Sequence, residues 1–261
     1  MLGSIIGDIV GSVYEFDNTK DYNFKLLKPD STFTDDTVMT LAVAKWLTED
    51  NKHRHATLVR IMQELGHKYP DRGYGENFFF WLIDRDPKPY NSWGNGSGMR
   101  VSPVEFYAHT LDEALDLAKV SAEVTHNHPE GIKGAQAVAA AIFLTRQGTG
   151  KEELRSYIEK TFGYDLHRTI DAMRPTYEYD ASCMGSTPEA IIAYLDSHDF
   201  EDAIRLAVSL GGDSDTIAAM TGPIAQAAYG LPKDLADSCY ARLNLDLQQI
   251  LDDFEEKIEI S

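Results

Sequence analysis

Apolar residues recur at helical spacing through most of this 261-residue chain, and this pattern leaves little room for other fold classes. An amphipathic helix places an apolar residue every three or four positions, whereas a half-buried strand alternates apolar and polar residues. Few stretches of the chain alternate in this way, and its runs of β-branched residues are short. The pattern therefore predicts an all-α fold. The expected helices cover residues 2–15, 37–47, 56–65, 111–124, 132–145, 187–196, 200–210, 216–229 and 234–258.

The segments between these helices are predicted loops, and they are rich in Gly, Pro, Asn, Asp and Tyr. Long loops in a compact helical domain often carry function. No low-complexity linker, tandem repeat or shift of composition divides the chain, so a single domain over residues 1–261 is expected. The predicted loops are residues 17–33, 66–77, 84–103, 146–151, 163–186 and 211–214.

The charge balance limits the partners that the chain can have. There are 42 acidic and 24 basic residues, which gives a formal charge of −18. Nucleic-acid binding needs clustered Lys and Arg, so no nucleic-acid partner is expected. No apolar run is long enough to span a membrane, so no membrane partner is expected either. With two cysteines and no basic leader before an apolar segment, we expect a cytoplasmic protein, with a monomer as the simplest oligomeric state.

Two short acidic segments each stand directly before an apolar helix. Asp, Ser and Thr are ordinary N-cap residues, and the helix dipole favours carboxylates there, so either segment alone is most simply a cap. A cap needs only one side-chain oxygen, however, and together the segments offer four carboxylates beside several hydroxyls. Such oxygen ligands suit hard divalent cations, so the segments predict a metal site if they meet in space. They are Thr34-Asp35-Asp36-Thr37 and Asp213-Ser214-Asp215-Thr216.

The first predicted helix carries Gly3, Gly7 and Gly11 in one stripe. Each internal glycine costs about 1 kcal/mol relative to alanine, so the stripe predicts that another backbone passes very close. Asp8 and Glu15 share a different face of this helix. For Asp8, a polar outer face is as good an explanation as a functional site. Glu15 stands at the expected helix end, where its side chain can reach into a cleft.

Five motifs, in their order along the chain, resemble those of the ADP-ribosylglycohydrolase family. The resemblance implies a single compact orthogonal helical bundle. It also implies a hydrolase that cleaves the glycosidic bond between ADP-ribose and a protein side chain or small acceptor, with arginine as the first choice. Two divalent cations, Mg²⁺ or Mn²⁺, are implied, with Thr34, Asp35, Asp36, Asp213, Asp215 and Thr216 as ligands. The matching motifs are Gly3–Gly11 with Glu15-Phe16, Thr34–Thr37, Asn95–Arg100, Thr125–Pro129 and Gly211–Thr216.

The same resemblance assigns roles to further residues. Glu15 and Asp71 are two candidates for the carboxylate that transfers a proton to the leaving group, although Asp71 is equally well explained as a turn residue. His126 is expected to contact ribose or phosphate, and a structural role is an alternative for His128. A glycine-rich loop is expected to bind the diphosphate through backbone N–H groups, while its arginine pairs with phosphate or with a carboxylate. This loop consists of Asn95, Gly96, Ser97, Gly98, Met99 and Arg100.

Two other functions fit the same residues. The aspartates can also serve a two-metal phosphoesterase, which would release phosphate or a nucleoside monophosphate. A non-catalytic ADP-ribose-binding module would bind the nucleotide without turnover. The stretch between Gly148 and Ser186 matches no motif of the family, so the resemblance does not locate an adenine pocket.

Overall fold

The computed structural model describes residues 1–260, with side chains up to Ile258. All the named secondary-structure elements in this range are helices. Within it, the one pairing of β type is an isolated bridge between Gly94 and Ser182. The prediction of an all-α helical bundle is therefore confirmed, whereas the single-domain boundary at residues 1–261 stays a prediction. No helix in the described range is both long and apolar enough to cross a membrane.

The helices are numbered in chain order, and several are short connectors between longer ones. They are α1 (Leu2–Gly11), α2 (Asp35–Glu49), α3 (His55–Lys68), α4 (Glu76–Ile83), α5 (Gly96–Met99), α6 (Ser102–Tyr107), α7 (Leu111–Glu123), α8 (Pro129–Arg146), α9 (Lys151–Phe162), α10 (Ile170–Met173), α11 (Cys183–Asp196), α12 (Phe200–Leu210), α13 (Ser214–Tyr229), α14 (Lys233–Tyr240) and α15 (Leu245–Ile260).

The centre of the bundle is α13, which is buried from Ser214 to Ala225 and packs against α1, α8, α11 and α12. Small side chains make up much of α8 and α13, so neighbouring helices can approach them closely. A helix that is apolar around its whole circumference is expected to be buried on all sides. The N-terminal end of α13 therefore lies deep in the molecule, and the acidic turn that precedes it does too.

Helix α1 packs backbone to backbone against α13. A Cβ atom added at Gly7 would lie 2.1 Å from the Ala218 carbonyl oxygen, and one at Gly3 would lie 2.6 Å from the Gly222 oxygen. At Gly11 the added atom would lie 2.4 Å from Asp215 Cα. The close approach predicted from the glycine stripe is confirmed, and it places the end of α1 beside the second acidic turn.

Several element boundaries were wrong. Helix α1 ends at Gly11, so residues 12–15 are not helical and Glu15 lies in the turn that follows. The helix predicted over 234–258 is two helices, α14 and α15, separated by residues 241–244. Helix α11 begins at Cys183 rather than at 187, because the Ser182 side chain caps it by accepting a hydrogen bond from the Gly185 N–H.

Helices also occur where loops were expected. The predicted loop 84–103 contains α5 and the start of α6, and the loop 163–186 contains α10. The loop predicted at 66–77 is shorter, because α3 continues to Lys68 and α4 begins at Glu76. Helix α9 was missed altogether, although only its first residue falls in a predicted loop.

Candidate functional site

The two acidic turns meet at one cavity of about 290 Å³. The Thr216 hydroxyl donates a hydrogen bond to Asp36 Oδ1 at 3.3 Å, which links residues 180 positions apart. Both turns are the first turns of buried helices, α2 and α13, and Asp36 and Asp215 are themselves buried. The spatial condition for the predicted site is therefore met. The carboxylates that line the cavity are those of Glu15, Asp35, Asp36, Glu76, Asp213 and Asp215.

The first acidic turn is held by Asp8, whose carboxylate is fully buried. It accepts hydrogen bonds from the Thr34 N–H at 2.9 Å and the Thr34 hydroxyl at 2.7 Å. It also accepts from the Thr37 N–H at 3.1 Å and from the Thr37 hydroxyl. Thr34 Oγ1 in turn caps α2 by accepting from the Asp36 N–H at 3.2 Å. Asp8 therefore positions the turn and is saturated with donors itself.

The second acidic turn depends on two glycines in the left-handed region, Gly211 at φ +79° and Gly212 at φ +71°. Asn18 clamps this turn, since its side chain accepts from the Gly212 N–H at 2.6 Å and donates to the Gly212 carbonyl at 3.0 Å. The Asn95 side chain donates to Asp213 Oδ2 at 2.7 Å. Sequence reasoning missed Asn18, because no motif marks it and its role arises only from the packing of α1 on α13.

The carboxylates of the cavity crowd one another. Glu15, Asp213 and Asp215 each offer an oxygen, and these three atoms lie within 4.8 Å of one another. Burial, followed by the charges of neighbouring carboxylates, raises the pKa of Asp35, Asp36 and Asp215 well above the usual range. Burial and the charge of Asp213 raise the pKa of Glu15 to about 7. Like charges at such distances disfavour ionisation unless a cation is present.

These residues fit a divalent-cation site. Their donor atoms are oxygens only, which Mg²⁺ and Mn²⁺ prefer. Asp36 Oδ2 is buried and has no hydrogen-bond partner. No ion pair in the described part of the chain involves Asp36 or the four carboxylates near it, those of Glu15, Asp35, Asp213 and Asp215. A buried carboxylate oxygen without a hydrogen-bond partner, lying among like charges, has the chemistry of a cation ligand.

The glycine-rich loop forms a wall of the cavity next to Asp213, and only part of it faces the cavity. Asn95, Gly96, Met99 and Arg100 line the cavity. Ser97 and Gly98 are buried behind them. The Ser97 hydroxyl donates to the Gly131 carbonyl at 2.7 Å, and a Cβ atom at Gly98 would lie 2.9 Å from Met220 Sδ.

His126 lines the same wall, and the two histidines of its motif play different parts. A Cβ atom at Gly96 would lie 3.0 Å from His126 Nε2, so a larger residue there would require the imidazole to shift by a few tenths of an ångström. His128 instead caps α8, because its Nδ1 accepts from the Glu130 N–H at 3.1 Å. The structural interpretation of His128 is therefore confirmed.

Arg100 is fully buried, and its guanidinium donates hydrogen bonds to uncharged oxygens. Its Nη2 donates to the Ser121 carbonyl at 2.9 Å and to Thr125 Oγ1 at 2.8 Å. No carboxylate of the described residues pairs with it. The guanidinium therefore contacts the C-terminal part of α7 and the histidine motif.

Asp71 is exposed and is not part of the cavity wall, whereas the residues just after it are. The Asp35 N–H donates to the Arg72 carbonyl at 2.8 Å, which ties this loop to the first acidic turn. As a result Gly73, Glu76 and Asn77 line the cavity. Asp71 itself lies on the exposed side of this loop, and its catalytic role stays a prediction.

Tyr179 also lines the cavity, although no sequence pattern distinguishes it from other aromatic residues in loops, which are more often packing residues. Its side chain remains about half exposed at 53%. Tyr177, two residues earlier, supports the second acidic turn instead. A Cβ atom at Gly212 would lie 2.5 Å from the Tyr177 ring, and the Tyr177 hydroxyl donates to the Gly185 carbonyl at 2.6 Å.

Comparison with known proteins gives a consistent result. A family model described as ADP-ribosylglycohydrolase matches residues 1–260. The ADP-ribosylhydrolase ARH3 of Homo sapiens is 29% identical over 320 residues, which cover 92% of this chain and 87% of that protein. The ADP-ribosylarginine hydrolase Tri1 of Pseudomonas putida is 28% identical over 263 residues, covering 88% of this chain and 70% of that protein. A solved chain described as an ADP-ribosylglycohydrolase-related protein complex shares the fold, with a TM-score of 0.70, 24% identity and coverage of 97% of this chain and 95% of its own.

Proposed function

Because the chain belongs to the ADP-ribosylglycohydrolase family, we propose that it hydrolyses the glycosidic bond between ADP-ribose and an acceptor, with the help of divalent cations. One observation carries this proposal. Carboxylates from the turn that follows α1 and from the first turns of α2 and α13 converge on one cavity, where Asp36 Oδ2 has no hydrogen-bond partner. Such a cluster is unfavourable without cations and is well suited to hold them.

The proposed cofactor is a pair of Mg²⁺ or Mn²⁺ ions bound between the two acidic turns. When bound, such ions orient hydroxyl groups and polarise water as Lewis acids. The Thr34 hydroxyl donates to Asp8 and accepts from the Asp36 N–H, which leaves one lone pair free for a ligand bond. The proposed ligand set is therefore the one that the motifs imply, Thr34, Asp35, Asp36, Asp213, Asp215 and Thr216.

Glu15 is the proposed acid and base. Cleavage of a glycosidic bond needs a group that gives a proton to the leaving atom, and such a group works best with a pKa near neutrality. The pKa of Glu15 is raised to about 7 by burial and by Asp213, and its side chain lines the cavity. Asp71 is the weaker candidate, since it is exposed and lies outside the cavity wall.

The cavity wall formed by the glycine-rich loop is proposed to bind the ADP-ribosyl group. The backbone of the glycine-rich loop lies at the cavity, and backbone N–H groups can bind phosphate oxygens without a cationic side chain. His126 and Asn95 line the same wall and offer polar atoms at fixed positions. This arrangement explains how so acidic a protein can bind a diphosphate.

An arginine side chain of a modified protein is the proposed acceptor. Among the described residues that line the cavity, the accessible charged groups are carboxylates, including Glu76, while the guanidinium of Arg100 is buried. Negative surroundings favour a cationic leaving group. The similarity to an ADP-ribosylarginine hydrolase supports the same choice.

The test is a comparison of conjugates under one set of conditions. The protein is incubated with ADP-ribosyl-arginine, ADP-ribosyl-serine and ADP-ribosyl-nucleobase in the presence of Mg²⁺, and the products are resolved by mass spectrometry. We expect free ADP-ribose, released fastest from the arginine conjugate and lost on chelation. Release of phosphate or a nucleoside monophosphate would show a phosphoesterase, and binding of ADP-ribose with no product would show a binding module.

A further inference from the structure

The cavity wall contains a buried guanidinium without a counter-charge. Arg100 is 0% exposed, no carboxylate of the described residues pairs with it, and its Nε has no hydrogen-bond partner. Burial lowers the pKa of Arg100 to about 10, which still leaves the side chain charged near neutral pH. Burying an unpaired charge is costly, so a charge retained here is expected to serve the site.

Arg100 begins a short chain of hydrogen bonds. A guanidinium can only donate, so Thr125 Oγ1 accepts from Arg100 Nη2 at 2.8 Å. The Thr125 hydroxyl proton is then left to point at His126 Nδ1, which lies 2.7 Å away. If His126 Nδ1 carried a proton instead, the buried Thr125 hydroxyl would have no acceptor, which is unfavourable. Nδ1 is therefore the accepting nitrogen.

The other ring nitrogen, Nε2, lies beside two glycines of the cavity wall. A Cβ atom at Gly96 would lie 3.0 Å from His126 Nε2, and one at Gly94 would lie 3.6 Å from it. Both glycines line the cavity, as does His126. Burial and then the positive charge of Arg100 hold the pKa of His126 well below its usual range, so the imidazole is neutral. A neutral imidazole whose Nδ1 accepts carries its proton on Nε2.

We propose that Arg100 and Thr125 are positioning residues that hold His126 as the neutral tautomer with its proton on Nε2, so that the ring presents one fixed donor to an oxygen of the ADP-ribosyl group. The identity of this ligand rests on the proposed function, whereas the tautomer does not. Arg100 then acts through His126 and does not touch phosphate. A donor held in one orientation loses less freedom on binding than one that must first be ordered.

The tautomer can be measured directly. Long-range ¹H–¹⁵N correlations of ¹⁵N-histidine-labelled protein distinguish a protonated from an unprotonated ring nitrogen, and the His126 signals are those missing in His126→Asn. In the wild-type protein we expect an unprotonated, hydrogen-bonded Nδ1 and a protonated Nε2. This measurement needs no variant of the relay. A proton on Nδ1, or on both nitrogens, at neutral pH would overturn the proposal.

Variants of Thr125 test the relay itself. In Thr125→Val the Nδ1 signal should move to that of a nitrogen without a hydrogen bond, and binding of ADP-ribose, measured by calorimetry, should weaken by about three- to tenfold. Thr125→Ser retains the hydroxyl and should restore both. The matched control is Thr145→Val, because Thr145 is also buried but its partners, the Ala141 carbonyl and the Tyr194 side chain, are not part of the relay.

Different results would contradict the relay to His126 and the proposed hydrolase function. An unchanged Nδ1 signal in Thr125→Val would contradict the relay even in an active hydrolase. Conversely, an inactive protein with the expected His126 tautomer would contradict the proposed function alone. Weaker binding in Thr145→Val as large as that in Thr125→Val would show that the loss comes from general loosening of the fold.

Discussion

The carboxylates near the cavity differ in their hydrogen bonds, and this difference separates a structural role from a ligand role. Asp8 accepts four hydrogen bonds, from the N–H and hydroxyl groups of Thr34 and Thr37. Asp36 has one unpartnered oxygen and lies among like charges. Removing the charge of each should therefore change the free energy of unfolding in opposite directions.

Asp36→Asn should stabilise the cation-free protein. The substitution removes one buried charge that its neighbours repel, and each unit of pKa shift corresponds to about 1.4 kcal/mol, so a gain of roughly 1 kcal/mol is expected. The same variant should lose hydrolysis and the stabilisation by Mg²⁺. Urea unfolding in the presence of a chelator, with and without added Mg²⁺, measures both effects. A clear loss of stability would mean that Asp36 is a structural residue.

Asp8→Asn should destabilise the protein in both conditions. An amide cannot accept all four hydrogen bonds, so a loss of about 1–3 kcal/mol is expected from unsatisfied buried donors. Asp30→Asn is the control, since Asp30 is exposed and should change stability by less than about 0.5 kcal/mol. If Asp8→Asn changed the free energy of unfolding no more than the control does, Asp8 would not hold the first acidic turn.

At the scale of the helices, the contact between α1 and α13 aligns the site. Glycine at Gly3, Gly7 and Gly11 lets the two backbones meet, and the end of α1 then lies beside Asp215. Helix propensity and packing predict opposite effects for a substitution in this stripe. Propensity alone favours alanine over glycine by about 1 kcal/mol.

Gly7→Ala should nevertheless destabilise the protein by about 2–3 kcal/mol or more, because the new methyl group would collide with the Ala218 backbone. Thermal unfolding measures the change. Gly150→Ala is the matched control, because a Cβ atom there meets nothing within 4 Å, and its change should stay below about 1 kcal/mol. Stabilisation by Gly7→Ala would contradict the close contact between α1 and α13.

Sequence patterns predicted helices well where the signal is local and long. Helices α2, α7, α8 and α12 follow from their periodic apolar residues and their caps. Helix α9 was missed because charged residues dominate it and only three apolar side chains, Leu154, Ile158 and Phe162, are buried. The run of aromatics in α4 is nearly continuous, so it has no clear helical period.

Like the helices, the candidate site could be predicted from the sequence only where its residues form a local motif. The acidic turns are local motifs at the starts of helices. Asp35, Asp36, Asp213 and Asp215 could therefore be predicted as candidate ligands before the fold was known. The clamp by Asn18 depends on two segments that meet only after folding. The part of the cavity wall formed by residues 73–77 is positioned by the hydrogen bond from the Asp35 N–H to the Arg72 carbonyl. No pattern of residue types predicts this bond.

At the scale of the whole molecule, the cluster of carboxylates in the cavity couples the expected cation binding to pH. The pKa of Asp35, Asp36 and Asp215 is raised in the cation-free protein, and that of Glu15 is raised to about 7. Groups with raised pKa bind protons more tightly folded than unfolded. Their contribution to stability is therefore lost as pH rises from the ordinary carboxyl range through the raised pKa.

The stabilisation by Mg²⁺ should accordingly increase as pH rises through neutrality, since the cations replace protons on these carboxylates. Thermal unfolding with Mg²⁺ and with a chelator, at matched pH values, gives the difference. The amine of Met1, whose pKa burial lowers to about 4, has the opposite sign, but it is affected equally in both samples and cancels. A difference that stays constant or shrinks with rising pH would contradict the assignment.

The central claim is that two acidic turns, joined by the packing of α1 on α13, bind divalent cations in one cavity. Anomalous scattering from crystals grown with Mn²⁺ tests it most directly, with Asp36→Asn crystals as the comparison. The account predicts Mn²⁺ within bonding distance of Asp36 Oδ2 and of the Asp215 carboxylate, and loss of that density in the variant. Saturating Mn²⁺ that left the cavity empty, or bound only elsewhere on the acidic surface, would contradict it.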